Sequence, residues 1–425
     1  MPIIRTPPEW GIEPVPKKLR QLGLLDYTVL WSSLGIGLLV MQAGALLVQW
    51  LQLSLIEALI ITIIGSIIGS FLLALVGVIG SKYGLPTMVS LRPIFGKYGT
   101  YLPTILNIVQ LIGWTTFEFI IMGEAATVLT GEFMGLATKY LWITVFALWC
   151  YLLAVLGPLA VVREWLEKFA IWLVFISSIW ITFQLLNRLP SEAFSPSGSP
   201  LSNFLLGLDL VVAMPISWIP LVSDYNRFAK DKSKSFWGTF IGYTIANSWF
   251  YMLGAALAYL YPGESVVYSI ALLFLGSFAL FIVLVDETDN AFADIYSAAV
   301  SIGNILPKVK QWKTSLIITL VSLGLAYFVP IARYEDFLLL IGASFIPLFS
   351  VLLAEYFVIR GEGISLEEFF EKAPKLSLRN IVSWVFGFIV YYYLTYIHTE
   401  PPIGGSLITI VLTFIFTLLL SKIKH

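Results

Sequence analysis

The sequence predicts an all-α integral membrane protein with about twelve transmembrane helices, and three observations support this fold class. Of its 425 residues, 58% are hydrophobic and only 12% are charged, whereas soluble domains contain about 25% charged residues. Apolar segments of about 20 residues, long enough to cross a bilayer as helices, recur along the chain. Lys and Arg are concentrated in alternate loops between these segments, as in polytopic membrane proteins.

The twelve apolar segments are named spans 1 to 12. They cover residues 27–50, 55–80, 101–129, 139–160, 167–187, 204–225, 236–260, 266–300, 315–333, 335–359, 379–397 and 402–421. The longest polar segments, 1–26 and 360–378, are too short to bury a hydrophobic core of their own. We therefore expect no soluble catalytic domain.

The distribution of basic residues predicts the orientation of the chain. Only three of the 25 Lys and Arg residues fall on one side of the membrane, namely Lys139, Arg188 and Arg333, and the other 22 fall on the side of the two termini. Positively charged loops stay in the cytoplasm. We therefore predict a multi-pass protein of the plasma (inner) membrane with cytoplasmic termini. The net charge of −1 gives no support for nucleic-acid binding.

Spans 1 and 6 share an irregularity that indicates a binding site and an internal repeat. Span 1 contains the Gly- and Ser-rich stretch 32–37, and span 6 contains Pro215 and Pro220, so both helices are expected to be interrupted. Interrupted helices at matching places in two halves are typical of transporter binding sites. Spans 3 and 8, again five apart, both carry membrane acids. Because a repeat of five helices inserts its second copy upside down, we predict two inverted repeats, 27–187 and 204–359, with a cytoplasmic segment 1–26 before them and two additional helices in 379–421 after them.

Span 8 carries four acids within nine residues of an otherwise apolar segment. An ionisable group at membrane depth costs about 2.5–3.5 kcal/mol on insertion scales, so we expect these acids to have a function. Na⁺ prefers oxygen ligands, and a proton relay through the same acids is the alternative. The acids are Asp286, Glu287, Asp289 and Asp294.

Trp114 and Glu118 in span 3 lie four residues apart and therefore share one helical face. An indole stacks on a flat ring, while a carboxyl group forms hydrogen bonds with the ring edge. A 4-aminopyrimidine presents a ring nitrogen beside an exocyclic amine. A carboxylic acid can donate a hydrogen bond to the ring nitrogen and accept one from the amine. The pair predicts a site for a nitrogen-rich ring, and a purely structural role for Glu118 is the alternative.

Three charged residues of span 6 are expected to act locally. Asp209, near the start of the span, is expected to stabilise the N-terminal end of its own helix. Asp224 and Arg227 lie three residues apart at the other end, where they are expected to form an ion pair. That pair is interpreted either as part of a gate or as an ordinary interfacial pair.

At these residues the chain resembles the nucleobase–cation symporters, the purine and cytosine permease family. The matching features are residues 11–16, 42–44 at the end of the span 1 break, 113–114, 217–218, 224–228 and 288–290. Their order and spacing cover the chain from residue 11 to about residue 360. Where relatives often have neutral residues in span 8, this chain has Glu287 and Asp289. That pattern is similar to the branch associated with hydroxymethylpyrimidine, a 4-aminopyrimidine precursor of thiamine.

The resemblance implies a leucine-transporter-like fold, with substrate bound near the bilayer midplane between spans 1, 3, 6 and 8. It implies a symporter that imports a 4-aminopyrimidine such as hydroxymethylpyrimidine or cytosine by alternating access. The coupling ion is Na⁺ or, because of the added acids, H⁺, and no other cofactor is expected. The substrate-binding residues predicted in this way are Gly37, Gln42, Trp114, Glu118, Ser217, Trp218, Asp289 and Asn290. The predicted Na⁺ ligands are Ser33, Ile36, Thr288 and Glu287.

Two other classes of protein are weighed against this interpretation. Asp286 and Asp289 are spaced like the acids that hold Mg²⁺-diphosphate in intramembrane prenyltransferases. Such an enzyme needs a second acid-rich motif with basic partners at membrane depth, and the interrupted spans would have no role in it. A passive channel needs a continuous polar pore, whereas the polar residues here cluster at one depth. The expected partners are a small heterocycle and the lipid bilayer, without an obligate protein partner.

Overall fold

A computed structural model describes residues 11–157, 171–397 and 404–423 of the protein. The predicted end of span 4 and the predicted starts of spans 5 and 12 lie outside these ranges. So do four of the basic residues used to predict the orientation, which are Arg5, Arg163, Lys168 and Lys424.

Within the described residues, a helix occupies each of the twelve predicted spans. Spans 1 to 6 are Leu24–Ser33 with Leu38–Gln49, Leu55–Tyr83, Tyr101–Thr130, Ala137–Leu156, Ile171–Leu186, and Leu201–Trp218 with Val222–Asn226. Spans 7 to 12 are Lys232–Leu260, Gly276–Ile305, Gln311–Ala326, Tyr334–Leu353, Leu378–Tyr392 and Ser406–Lys422. Six of these helices, or seven if the two halves of span 1 are taken as one, are long and apolar enough to cross a membrane by themselves.

The predicted boundaries of span 8 are wrong at the start. A separate short helix, Val266–Ala271, precedes the main helix Gly276–Ile305. Leu275 separates the two because its backbone adopts a left-handed conformation, with φ of 55°, which a continuous right-handed helix does not allow. The acids of span 8 consequently lie near the middle of a 30-residue helix.

The helices that carry polar residues are packed inside the others. Spans 3 and 8 lie along each other, and span 7 packs against span 2 and against both halves of span 1. Span 5 lies outside and exposes apolar side chains, including Ile176, Ile179 and Phe183, as expected of a surface that faces lipid. The packing therefore encloses the polar residues of spans 1, 3, 6 and 8.

The predicted interruption of span 1 is confirmed, whereas span 6 is distorted only locally. The two halves of span 1 meet at an angle of 59°. The helix of span 6 continues through Pro215 and tightens only at the 3₁₀ turn Ile219–Leu221. Gly69 of span 2 makes room for the proline, since a Cβ atom there would lie 2.2 Å from Pro215 Cγ.

The prediction that Asp209 stabilises its own helix end is wrong. Asp209 lies inside the helix Leu201–Trp218, and its carboxylate caps the start of span 12 instead. The Ser406 N–H donates to Asp209 Oδ1 at 2.7 Å, and the Tyr391 hydroxyl donates to Oδ2 at 3.1 Å. An acid at a helix N-terminus accepts N–H groups that have no partner in the helix. Asp209 therefore ties spans 11 and 12 to span 6.

Candidate substrate and cation site

A small cavity lies in the interior where spans 1, 3, 6 and 8 meet. Its volume is about 20 Å³, which is room for about one water molecule. All the side chains that line it are buried. They are Leu34, Leu39 and Val40 from span 1, Trp114 and Glu118 from span 3, Met214, Ser217 and Trp218 from span 6, and Asn290 and Asp294 from span 8. Aromatic and polar groups from four helices thus converge, as in small-molecule binding sites.

Two indole rings, on spans 3 and 6, border the cavity. The Trp114 ring packs edge-on against Phe337 of span 10, with ring centroids 5.5 Å apart. Gly113 permits this contact, because a Cβ atom there would lie 2.4 Å from the Phe337 ring. The Trp218 ring packs edge-on against Trp31 at a centroid distance of 6.2 Å. Each indole is therefore fixed by a second aromatic ring, which suits a wall for stacking a flat ligand.

Glu118 presents an incompletely paired carboxyl group to this cavity. It lies beside the carboxyl group of Glu287, and one of the two can donate a hydrogen bond to the other when it carries a proton. Its Oε2 atom has no hydrogen-bond partner among the described residues. An unpaired buried polar atom costs about 1–3 kcal/mol. A ligand that donates a hydrogen bond to Oε2 removes this cost.

Glu287 caps the second half of span 1. The Leu38 N–H donates to Glu287 Oε2 at 2.6 Å, and the Leu39 N–H donates to Oε1 at 3.4 Å. These are the first N–H groups of helix Leu38–Gln49, which have no partner inside the helix. The positive end of the helix dipole adds to the attraction. Glu287, predicted as a Na⁺ ligand, therefore accepts hydrogen bonds from backbone N–H groups at the break in span 1.

The two spans approach closely at Gly37. A Cβ atom at Gly37 would lie 2.9 Å from Asn290 Nδ2 and 3.2 Å from Glu287 Oε2, so a larger residue would push the spans apart. Beside it, Asn290 Nδ2 donates to the main-chain oxygen of Ile36 at 3.0 Å. The missing side chain at Gly37 thus lets span 8 reach backbone groups on both sides of the break.

Ser33, at the end of the first half of span 1, contacts two acids of span 8. Its hydroxyl oxygen lies 3.0 Å from Asp286 Oδ1 and 3.3 Å from Asp289 Oδ2, and it donates to one of them at a time. Asp286 Oδ2 and Asp289 Oδ1 have no hydrogen-bond partner among the described residues. The two acids therefore form a buried pair with spare acceptor capacity, which can hold a proton or a small cation.

The remaining predicted Na⁺ ligands are already engaged. The Thr288 hydroxyl donates to the main-chain oxygen of Val285 in its own helix at 2.7 Å, and the Ile36 carbonyl accepts from Asn290. Residues 11–157, 171–397 and 404–423 contain no group of three or more His, Cys, Asp or Glu side chains arranged to hold a metal ion. In these bonds the Thr288 hydroxyl oxygen and the Ile36 carbonyl oxygen each keep a free lone pair, so neither contact excludes Na⁺.

Comparison with known proteins identifies the family. The family profile described as "Permease for cytosine/purines, uracil, thiamine, allantoin" matches residues 14–417. The chain belongs to this permease family. The permease is similar to the allantoin permease of Bacillus subtilis (strain 168), with 27% identity over 368 residues that cover 75% of this chain and 72% of that protein. It is also similar to the purine-cytosine permease fcyB of Emericella nidulans, with 23% identity over 89% of this chain and 79% of that protein.

Solved structures share the fold of the permease. One of them is Mhp1, a nucleobase-cation-symport-1 family transporter in a closed conformation with bromovinylhydantoin bound. It superposes on the permease with a TM-score of 0.82 and 16% identity, over 98% of this chain and 96% of that chain. The predicted all-α, leucine-transporter-like fold is thereby confirmed, and so is the predicted family, the nucleobase–cation symporters. The permease is a transporter rather than an enzyme, so the prenyltransferase interpretation is wrong.

The structure brings together five of the eight predicted substrate-binding residues of the permease. Trp114, Glu118, Ser217, Trp218 and Asn290 line the cavity. The other three do not line it: Gly37 lies at the span 1 break, Asp289 faces Ser33, and Gln42 is half-buried further along span 1.

Sequence reasoning did not assign the remaining residues of the cavity to the substrate site. Asp294 could have been assigned to the site from the sequence, because it lies four residues after Asn290 and hence on the same helical face. Its carboxyl group is buried (3% exposed). Nothing in the sequence distinguishes the apolar lining residues, which include Leu39, Val40 and Met214, from the other apolar residues of their spans.

The predicted ion pair between Asp224 and Arg227 is wrong. Arg227 Nε donates to the main-chain oxygen of Asp224 at 3.2 Å rather than to its carboxylate, and the guanidinium group also donates to the Tyr296 hydroxyl at 2.7 Å. The Asp224 carboxylate accepts the Thr87 N–H at 3.0 Å. Both side chains are buried. They fasten the end of span 6 to span 8 and to the loop after span 2.

Proposed function

We propose that the permease imports a 4-aminopyrimidine, such as hydroxymethylpyrimidine or cytosine, together with H⁺ or Na⁺ by alternating access. The distribution of Lys and Arg supports a position in the plasma (inner) membrane with cytoplasmic termini. The observation that carries the substrate class is the Glu118 carboxyl group, buried between aromatic walls with one oxygen unpaired. The family description includes cytosine and thiamine, and both contain a 4-aminopyrimidine ring.

The hydrogen-bonding edge of the ring matches Glu118. The unpaired Oε2 atom accepts a hydrogen bond from the exocyclic amine, and a protonated carboxyl group also donates to the adjacent ring nitrogen. Uracil carries a carbonyl oxygen where cytosine carries the amine, so it would place an acceptor against Oε2. Trp114 and Trp218 supply the stacking surfaces. We therefore expect cytosine and hydroxymethylpyrimidine to bind more tightly than uracil.

Substrate entry requires the walls of the site to move. A cavity of about 20 Å³ holds about one water molecule and no pyrimidine ring. The ring fits only when spans 1 and 6 separate from spans 3 and 8. Such a movement is the rocking of one bundle of helices against another that alternating access describes.

We favour H⁺ over Na⁺ as the coupling ion. Asp286 and Asp289 each keep one unpaired oxygen beside Ser33. A proton on one acid of this pair also relieves the repulsion between two buried carboxylates. Asp289→Asn should therefore abolish the dependence of uptake on an inward proton gradient, whereas dependence on Na⁺ alone would contradict proton coupling.

Ligand binding to the purified protein tests the substrate class. Thermal shift and tryptophan quenching are measured with hydroxymethylpyrimidine, cytosine, uracil, hypoxanthine and hydantoin, each with and without Na⁺. Glu118→Leu should weaken binding of the two aminopyrimidines about tenfold or more, because it removes both the acceptor and the donor for the ring edge. Glu124→Leu is the matched control, since Glu124 is on the same helix and does not line the cavity. Unchanged binding in the Glu118→Leu variant would contradict the proposal.

A further inference from the structure

A second, basic cleft opens on the face of the protein that carries the N-terminal segment 11–23. Its volume is about 600 Å³. It lies between the end of the span 2 helix, Leu55–Tyr83, and the start of the span 7 helix, Lys232–Leu260. The charged residues that line it are Lys17, Arg20, Lys82, Lys230, Asp231 and Lys232. Five cations and one acid thus surround one concave surface, which belongs to neither the substrate site nor the acid cluster.

The cations converge from three separate parts of the chain. The Leu22 N–H donates to the main-chain oxygen of Phe228 at 3.1 Å, and the Lys230 N–H donates to the Leu22 carbonyl at 2.9 Å. Arg20 donates to the main-chain oxygen of Tyr83 at 2.9 Å, at the end of span 2. The positive-inside rule requires only that basic residues lie on one side of the membrane. Convergence on a cleft is an additional feature that this rule does not explain.

The acids near the cleft neutralise only part of its charge. Asp231 forms an ion pair with Lys234 at 3.0 Å, outside the lining. Glu362 pairs with Lys232 at 2.8 Å and with Lys82 at 3.4 Å. The hydrogen bond from Lys232 lowers the pKa of the Glu362 carboxyl group, which agrees with an electropositive surrounding.

The other three cations of the cleft have no carboxylate partner among the described residues. These are Lys17, Arg20 and Lys230. Cations that converge repel one another, and a bound anion removes this repulsion. A phosphate group matches the ammonium groups of Lys17 and Lys230, since such groups bind phosphate oxygens. The Arg20 guanidinium adds positive charge, although its three nitrogens already donate to main-chain oxygens. The hydroxyl groups of Ser81 and Ser233 also line the cleft and can donate.

We infer that this cleft binds a phosphate-bearing anion. The position of the cleft favours the headgroup of an anionic phospholipid over free phosphate. Basic pockets between transmembrane helices, on the side that the charge distribution predicts to be cytoplasmic, recognise anionic headgroups. A bound headgroup joins the N-terminal segment to spans 2 and 7. It thereby holds this segment against the end of span 6. The inference is independent of the substrate proposed above.

Native mass spectrometry of the purified full-length protein tests the cleft with phosphatidylglycerol, phosphatidylcholine and inorganic phosphate as probes. The double variant Lys17→Glu/Lys230→Glu should weaken phosphatidylglycerol binding at least about thirtyfold, because the loss of two basic residues that each contribute about 1 kcal/mol near an anionic surface already gives this factor. Lys18→Glu/Lys308→Glu is the matched control. It changes the net charge equally at two exposed lysines that do not line the cleft, and it should bind like the unmodified protein.

Each outcome of this experiment decides the inference. Selective loss of phosphatidylglycerol in the Lys17/Lys230 variant supports a lipid headgroup site, and the same selective loss with inorganic phosphate alone assigns the cleft to free phosphate. Equal losses in both double variants indicate general surface attraction and overturn the inference, as does equal binding of phosphatidylcholine and phosphatidylglycerol. If the Lys17→Glu/Lys230→Glu protein does not fold, the neutral variant Lys17→Gln/Lys230→Gln is compared with Lys18→Gln/Lys308→Gln in the same way.

Discussion

Spans 1 and 6 each contain an irregularity inside the membrane, and in each case a neighbouring span supplies hydrogen-bonding side chains to the backbone. At the span 1 break, Glu287 of span 8 accepts the N–H groups of Leu38 and Leu39. At the tightened turn of span 6, side chains of span 3 contact carbonyl oxygens: Gln110 Nε2 donates to Ser217 O at 3.2 Å, and Asn107 Nδ2 donates to Pro220 O at 3.4 Å.

The difference between the two regions explains why the side chain that supports span 1 is a carboxylate and those that support span 6 are amides. The break in span 1 exposes N–H donors, which a carboxylate satisfies best. The turn in span 6 exposes carbonyl acceptors, which need amide donors. Span 8 forms hydrogen bonds with the irregular part of span 1, and span 3 does the same for span 6. Spans 1 and 6 are five spans apart, and so are spans 3 and 8. This exchange supports the predicted inverted repeats, whose boundaries, 27–187 and 204–359, stay a prediction.

The largest effect is expected from removing the acceptor at the span 1 break. Glu287→Ala should destabilise the protein by about 3 kcal/mol, because it leaves buried N–H groups at Leu38 and Leu39 without a partner. Glu287→Gln should cost about 1 kcal/mol, since its amide oxygen still accepts one of these bonds. Thermal melting in detergent measures both variants.

The same pair of variants separates capping from ion coupling. If Glu287 acts only as a cap, the Glu287→Gln protein should keep its ion-coupled uptake once corrected for the amount of folded protein. Equal melting temperatures for Glu287→Ala and the unmodified protein would show that span 8 does not support the break, and the comparison with span 6 would lose its basis.

A smaller effect is expected from enlarging the residue at the closest approach. Gly37→Ala should destabilise the protein by about 2 kcal/mol, because the new Cβ atom would lie 2.9 Å from Asn290 Nδ2. Gly324→Ala in span 9 is the matched control, since a Cβ atom there meets nothing within 4 Å. The control should gain up to about 1 kcal/mol from helix propensity. Melting curves that move in the same direction for both variants would contradict the role of Gly37.

Local sequence features were sufficient to predict the membrane fold and much of the site. The twelve spans follow from hydropathy, and Trp114 and Glu118 follow from their helical spacing. The acid cluster follows from the cost of burying charge. Each of these arguments needs only residues that are neighbours along the chain, so each could be made before the packing was known.

Two of the wrong predictions concern partners that are distant in sequence. Asp209 caps span 12 rather than its own helix, and Arg227 bonds to Tyr296 of span 8. Glu287, whose role as a cation ligand stays a prediction, accepts N–H groups that lie about 250 residues earlier, a contact that its own segment does not predict. Which helix end reaches a buried carboxylate depends on the packing of spans, which the pattern of one segment does not contain.

The smallest effect is expected at the span 6 turn. Gln110→Leu removes the donor to Ser217 O and to Asn107 Oδ1, yet it should destabilise the protein by only about 1–2 kcal/mol. Two features limit the cost: an under-satisfied carbonyl is tolerated better than a lone N–H, and the variant also removes Gln110 Oε1, which is buried without a partner among the described residues. Thermal melting beside Glu287→Ala gives the ranking. If the Gln110→Leu protein is as unstable as the Glu287→Ala protein, unpaired acceptors at span 6 cost as much free energy as unpaired donors at span 1. The acidity of span 8 would then need an explanation in ion coupling alone.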